Sequence, residues 1–275
     1  MEEQERDHWQ RNIAVRYLSE AAIYDRVHPA LTNAEEQHRL ERLLAVAVRA
    51  LPADAPSTSL DIGAGTGFVT ERLHAWGFRV IATDISAAML GRLRRRLSAE
   101  VRAGHVRCVL EDAETFLTTH PNRYALITIR AAVHHLPDPA ALIRLCSERL
   151  IRGGTLIILH EPIAATHPWW VHTLLAFDWM LARAFLISFD DLRLYREIGV
   201  DPNYRDAHQS PAVDEGSIRG IARDVGFAVI ACERAASAHT GLVRWMLRWM
   251  QQKMTWNLVL RRPLSTSVET ADSGQ

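Results

Sequence analysis

Ser59-Leu60-Asp61-Ile62-Gly63-Ala64-Gly65-Thr66-Gly67 runs an apolar segment into a turn carrying three glycines. A helical pattern leaves that turn through Phe68, Val69, Leu73 and Trp76. The order is strand, tight turn, helix N-terminus. Glycine lets a backbone bend sharply and approach a ligand closely, and a helix start presents unpaired N–H groups. Such a turn belongs where a parallel sheet reverses its strand order. The spacing is G-x-G-x-G, and Phe68 stands where the dinucleotide fingerprint G-x-G-x-x-G has its last glycine. A turn that merely packs a helix on a strand remains the plain alternative.

Outward from the turn, strands and helices alternate. Phe78 to Thr83 reads as a strand ending at Asp84, and Ser86 caps a helix through Met89, Leu90, Leu93 and Leu97. His105 to Leu110 and Tyr124 to Ile129 read as strands. Asp138-Pro139 opens a helix to Leu150 that Gly153-Gly154 ends, before a strand from Thr155 to Leu159. Strands separated by helices imply right-handed crossovers and a doubly wound, mainly parallel α/β sheet. A helix at 214–225 stopped by Gly226, a strand from Phe227 to Cys232, a helix at 240–253 and a strand from Thr255 to Arg261 close the pattern.

Upstream, 3–22 reads as a helix broken by Tyr24 to Pro29. A second helix starts at Asn33, with Glu36 three residues on as a capping box, and stops before Pro52. The divisions expected are a helical N-terminal lid at 1–56, a core at 57–161, a helical insertion at 162–212, the rest of the sheet at 213–262 and a disordered tail at 263–275.

Across 275 residues, Lys+Arg and Asp+Glu both total 32, which argues against a nucleic-acid partner held by a general basic field. Arg92-Leu93-Arg94-Arg95-Arg96 therefore reads as a solvated helix face. Lys253 is the only lysine, a sign of coding bias. Cys108, Cys146 and Cys232 form no C-x-x-C, so neither a disulfide framework nor a metal site is expected. The charged N-terminus lacks an apolar signal core, and a cytoplasmic location is the expectation.

Three acids lie at strand ends: Asp61 within the turn, Asp84 about 20 residues later where a carboxylate reaches a ribose diol, and Asp112 where it can accept from a purine amine. Their shared sign repels a pyrophosphate, and residues 61–70 contain no lysine or arginine; a ligand with a cationic centre fits better.

Leu60 to Gly67, then Asp84-Ile85-Ser86-Ala87-Ala88-Met89-Leu90, then Asp112-Ala113-Glu114, then Ala132-Val133-His134-His135-Leu136 resemble class I S-adenosylmethionine-dependent methyltransferases, of the group that includes quinone-biosynthesis and natural-product enzymes. The resemblance covers about residues 58–161. It implies a Rossmann-like sheet of seven strands with the last antiparallel, and S-adenosylmethionine as cosubstrate. By the same resemblance, Gly63, Gly65 and Gly67 with Asp61 lie along the methionine portion, Asp84 holds the ribose, Asp112 and the Ala113 N–H bind adenine, Arg130 and Ala131 line the methionine side, and Thr70 and Ile85 flank the purine. Tyr17 and Tyr24 of the lid could close over the donor.

A sulfonium methyl is already activated, so alignment dominates and can supply about 7–11 kcal/mol. A hydroxyl acceptor also needs a base. The candidates are His134, His135, His160, Glu161 and His167, with His135, His160 and Glu161 foremost. The family's His134-His135-Leu136 element is often structural.

Six of the eight tryptophans follow residue 168, which points to a hydrophobic or aromatic small-molecule acceptor. Leu242, Trp245, Met246, Trp249 and Met250 alternate with Arg244, Arg248 and Lys253. That amphipathic stretch suits core or dimer packing, an acceptor wall or peripheral membrane contact, so monomer and homodimer both stay open. The favoured activity is O-methylation ahead of N or C. Three alternatives stand beside it: a lipid or isoprenoid methyltransferase at a membrane surface, a non-catalytic S-adenosylmethionine-binding protein, and an NAD-dependent oxidoreductase.

Overall fold

The structure is a computed structural model that describes residues 21, 24–28, 31, 33–136, 138–163, 167–185, 214–238 and 240–264. The expected helix at 3–22 with Tyr17, most of the insertion beyond residue 185 and the tail from 265 lie outside the described residues.

Helix α1 (Tyr24–Val27) is a single turn, where the sequence suggested a break. Helix α2 (Ala34–Arg49) is capped by Asn33, whose side chain accepts from the Glu35 N–H. Then come β1 (Thr58–Ile62), α3 (Phe68–Ala75), β2 (Arg79–Asp84), α4 (Ala87–Arg96), α5 (Ser98–Arg102), β3 (Val106–Leu110), α6 (Ala113–Thr119) and β4 (Tyr124–Arg130). A 3₁₀ turn at Val133–His135 precedes α7 (Pro139–Arg149), β5 (Leu150–Pro162), α8 (Trp169–Phe185), α9 (Glu215–Asp224), β6 (Ala228–Ala235), α10 (Gly241–Trp249) and β7 (Thr255–Arg261). Ser86, Asp138, Asp214 and Thr240 each accept a backbone N–H as helix caps.

One seven-stranded sheet has the order β3-β2-β1-β4-β5-β7-β6. The strands from β3 to β5 are parallel, and β7 runs antiparallel to both β5 and β6. The order reverses between β1 and β4, and the glycine turn leaves β1 at that point, where an open α/β sheet forms its ligand crevice.

Both faces are covered. One buries Leu40, Leu43 and Leu44 of α2 with Leu73, Leu90 and Leu93 of α3 and α4. The other buries Phe116, Leu142, Ile143 and Ile218 of α6, α7 and α9. Of the stretch expected as a lid, α2 thus belongs to a layer of the sandwich, with β5, β6 and β7 beneath it.

The glycine pair departs from expectation. Helix α7 ends at Arg149, and β5 begins at once, running straight through Gly153-Gly154. The β4–β5 register shifts between Tyr124 and Leu126, so the pair sits in an irregularity of a strand and not in a helix cap. A Cβ on Gly154 would lie 2.9 Å from the Ala125 carbonyl oxygen, which explains the missing side chain.

Candidate active site

The glycine turn lines an open cleft with Tyr24, Leu31, Phe68 and Arg130. Gly63, Gly65 and Gly67 all take positive φ, at 64°, 54° and 89°. Their missing side chains answer different needs. A Cβ on Gly67 would strike Leu93 Cγ at 2.7 Å, one on Gly63 would press Ala132 Cβ at 3.1 Å, and one on Gly65 would meet nothing within 4 Å. Gly67 lets α3 pack on α4; Gly65 leaves its backbone bare to the cleft.

Asp84 ends β2 with its carboxylate folded over the turn. Its Oδ2 accepts from the Gly65 N–H and its Oδ1 from the Ser86 N–H, both at 2.8 Å. Burial raises its carboxyl above the ordinary value, against the pull of those backbone donors. Ile85, half-buried, follows in the bend before α4. Asp112 lies two residues beyond Leu110, the partner of Asp84 on β3, so the two acids stand on neighbouring strand tips. Asp112 caps α6 through the Thr115 N–H at 3.0 Å, and Ala113 is the first residue of that helix, with no intrahelical partner for its N–H.

Asp61 is placed differently from the other two. It is 1% exposed and accepts from the Thr70 hydroxyl at 2.6 Å and the Thr128 hydroxyl at 2.8 Å. Burial pushes its carboxyl up to about 6. It forms the floor beneath the turn. Thr70 is fully buried against it and presents no surface to a purine, contrary to the expectation from sequence.

Arg130 ends β4, half-buried, with its guanidinium 5.4 Å from the Phe68 ring centre. Burial pulls it below its ordinary value. Tyr24 reaches the same cleft and packs on His28 at 4.0 Å between ring centres. Asp25, which the sequence reading passed over, accepts from the Thr66 hydroxyl and pairs with Arg96 at 3.1 Å, fastening α1 across the turn. One end of the arginine run is thereby an internal clasp.

The loop after β4 is held from below by Glu161. That carboxylate, 1% exposed, accepts from the N–H groups of Ala132, Val133 and His134 at 2.8, 2.9 and 3.2 Å and from His134 Nδ1 at 2.8 Å. Burial would raise it, but His134 and the backbone donors outweigh burial and hold it below the carboxylate range. All its capacity goes to the loop. The His135 ring lies tilted against that of His134, 3.9 Å between centres, and His160 follows Leu159 on β5, facing Glu36 of α2. Glu36, expected from sequence only as a capping-box residue of α2, instead pairs with Arg39 and borders His160, as does Asn257, which carries no local motif.

Of the late tryptophans, Trp256 is buried in the core, whereas Trp169, Trp245 and Trp249 are 78%, 62% and 76% exposed. Arg244 and Arg248 turn to Glu35. Among the described residues no three histidine, cysteine or acidic side chains gather as metal ligands, and no helix is long and apolar enough to cross a membrane.

Residues 60–158 match the family described as "Methyltransferase domain". A ubiquinone biosynthesis O-methyltransferase of Sodalis glossinidius is 35% identical over 97 residues, which cover 34% of this chain and 37% of that protein. One from Xanthomonas campestris is 31% identical over 100 residues, 36% of this chain and 41% of its own length. The chain therefore spans less than half the length of these relatives. By structure, N-methyltransferase NodS from Bradyrhizobium japonicum superposes with a TM-score of 0.53 at 17% identity, over 84% of this chain and 98% of that one. Magnesium protoporphyrin IX methyltransferase from Synechocystis gives 0.51 at 15%, over 92% and 97%. Strand order and the reversal behind the glycine turn give the seven-stranded sheet of the class I methyltransferase fold, and the sequence match places a methyltransferase domain within it at residues 60–158.

Proposed function

We propose that the chain transfers a methyl group from S-adenosylmethionine to a small, apolar or aromatic acceptor, at oxygen in preference to nitrogen or carbon. The observation that carries this reading is the row of three neighbouring strand ends, Gly65 after β1 with open space on its Cβ side, then the acids Asp84 and Asp112 beyond β2 and β3. In this reading Gly63 and Gly65 receive the methionine portion, Asp84 the ribose, and Asp112 with the Ala113 N–H and Ile85 the adenine. Arg130 and Tyr24 line the methionine end, where the guanidinium suits a carboxylate. Gly67 and Asp61 support the turn from within. Glu161 acts through the loop it holds and is a positioning residue, while His135 and His160 remain the bases to test. The oxygen preference draws on the O-methyltransferase relatives.

Calorimetry with S-adenosylhomocysteine tests the donor site. We expect saturable heat, weakened at least about tenfold in Asp84→Asn, which is about 1.4 kcal/mol. Absence of heat, or heat with NAD instead, removes the reading. Labelled donor with a metabolite extract then identifies the acceptor by the mass that gains a methyl group; binding with no turnover on any extract would favour a non-catalytic binder.

A second reading, methyl transfer at a membrane surface, draws on the exposure of Trp169, Trp245 and Trp249. It predicts co-sedimentation with anionic lipid vesicles that is lost in Trp245→Ala/Trp249→Ala. The turn of Arg244 and Arg248 toward Glu35 counts against it.

A further inference from the structure

A small chamber adjoins the donor cleft. Phe68 and Arg130 line both spaces, and Glu36, His160 and Asn257 close the chamber on the far side. Three strained or unsatisfied features meet in it. His160 takes φ 56°, a left-handed conformation that strains a non-glycine residue. The β5–β7 register shifts between Ile158 and Glu161, so His160 sits on a bulge, a device that re-aims a side chain. Its N–H is held by Asn257 Oδ1 at 2.8 Å. That bond fixes the amide orientation and leaves Asn257 Nδ2, on a residue 3% exposed, without a partner; Glu36 Oε1, on a residue 8% exposed, also lacks one. Asn257 Nδ2 thus borders a space the size of one hydroxyl or water, where an acceptor oxygen would satisfy it and keep its own proton for His160.

We propose that this chamber receives the acceptor's hydroxyl, that His160 Nε2 takes its proton, and that Glu36 is the positioning residue that holds the His160 ring. The proposal rests on the methyltransferase reading above and deepens it: the acceptor is a hydroxyl compound.

Glu36 Oε2 lies 3.7 Å from His160 Nδ1, an ion-pair distance that a bound acceptor would tighten to a hydrogen bond. With Nδ1–H directed at Glu36, Nε2 carries the free lone pair. The step balances. The acceptor O–H bond breaks and its proton passes to Nε2. An oxygen lone pair forms the new C–O bond as the S–CH₃ bond pair returns to sulfur, giving a methyl ether and the neutral thioether. The proton then leaves His160 to solvent.

The groups around His160 favour this use. From α2 come Glu36 and Arg39, from β4 Arg130, from β7 Asn257; Glu161 of its own strand is turned to the β4 loop, and Arg72 of α3 lies on Phe68. Burial, with Arg130, keeps the imidazole below its ordinary value against the pull of Glu36, so it is neutral at physiological pH and able to accept.

The test uses the full chain labelled with ¹⁵N-histidine and saturated with S-adenosylhomocysteine, the His160 resonance being assigned by its loss in His160→Asn. Phenol is the hydroxyl probe and toluene its isostere. We expect phenol to shift the His160 Nε2 resonance and toluene to leave it in place. In Glu36→Gln, the phenol response should fall at least about tenfold and the His160 titration midpoint should move to lower pH, with S-adenosylhomocysteine affinity unchanged. Failure of S-adenosylhomocysteine to bind would sink the donor reading. Normal binding with no phenol response would overturn the chamber proposal alone, leaving a site for a structural water. The phenol and toluene comparison needs no substitution, so it decides even if Glu36→Gln fails to fold.

Discussion

Gly65 and Gly67 stand two residues apart and should respond differently to the same methyl group. In Gly67→Ala the added carbon strikes Leu93 and the left-handed backbone is strained as well, so α3 must shift; we expect a loss of about 2–5 kcal/mol in urea unfolding. In Gly65→Ala the carbon enters open space, at about the 1–2 kcal/mol cost of the left-handed backbone alone, but it occupies the proposed donor cradle. We expect that variant to fold and to lose S-adenosylhomocysteine binding. Asp61 gives a second residue-scale prediction. Its carboxyl is protonated in both folded and unfolded states below its ordinary 3.8 and ionised in both above about 6, so stability falls as pH rises through that window. The rise corresponds to about 3 kcal/mol. Asp61→Asn, able to bond both threonines, should erase this loss when unfolding is compared at pH 4 and pH 7. The sequence read Asp61 as a third acid of the rim. It could not show that Thr70 and Thr128, one near and one 67 positions away, would close over it in a strand buried on both faces.

At the scale of elements, β5 differs most from its sequence pattern. A glycine pair after a helix is ordinarily read as a stop, because a left-handed residue satisfies the last carbonyls. Here Leu150 already pairs with Tyr124, and Gly154 is small because the β4 backbone passes close by. That reason lies in a neighbouring strand and leaves no local trace. Gly154→Ala should therefore cost about 1–3 kcal/mol by overpacking, measured by urea unfolding. At the other end of β5, His160→Gly relieves the left-handed strain but removes the partner of the buried Glu36 carboxylate, so thermal stability should fall, by less than His160→Ala loses, while methyl transfer is lost in both. By contrast the glycine turn, the caps at Ser86 and Asp138 and the strands to either side were legible, since each is specified by residues adjacent in the chain.

Across the whole molecule, α2 is tied to distant parts by charge. Arg39 meets Glu35, Glu36 and Glu233; Arg42 meets Glu233; Arg244 and Arg248 reach Glu35. Burial would raise the Glu36 carboxyl, but His160 and Arg39 outweigh it and bring it down to about 2 from 4.5. Its contribution, on the order of 3 kcal/mol, is full above 4.5 and disappears as pH falls through about 2. Acid unfolding of Glu36→Gln should therefore be flatter than that of the native chain below pH 4.5, the reverse of the Asp61→Asn profile. These partners are up to 213 residues apart, so only the assembled fold displays the network.

The position of β7 has a consequence for how the protein is made. Among the described residues, strand β6 pairs only with β7, and β7 comes last of the seven strands in the sequence, inserted between two that precede it. On the ribosome, Ala228–Ala235 must wait unpaired until Arg261 has cleared the exit tunnel. Translation arrest a few residues short would leave β5 with an open edge, a template for aggregation and a target for chaperones.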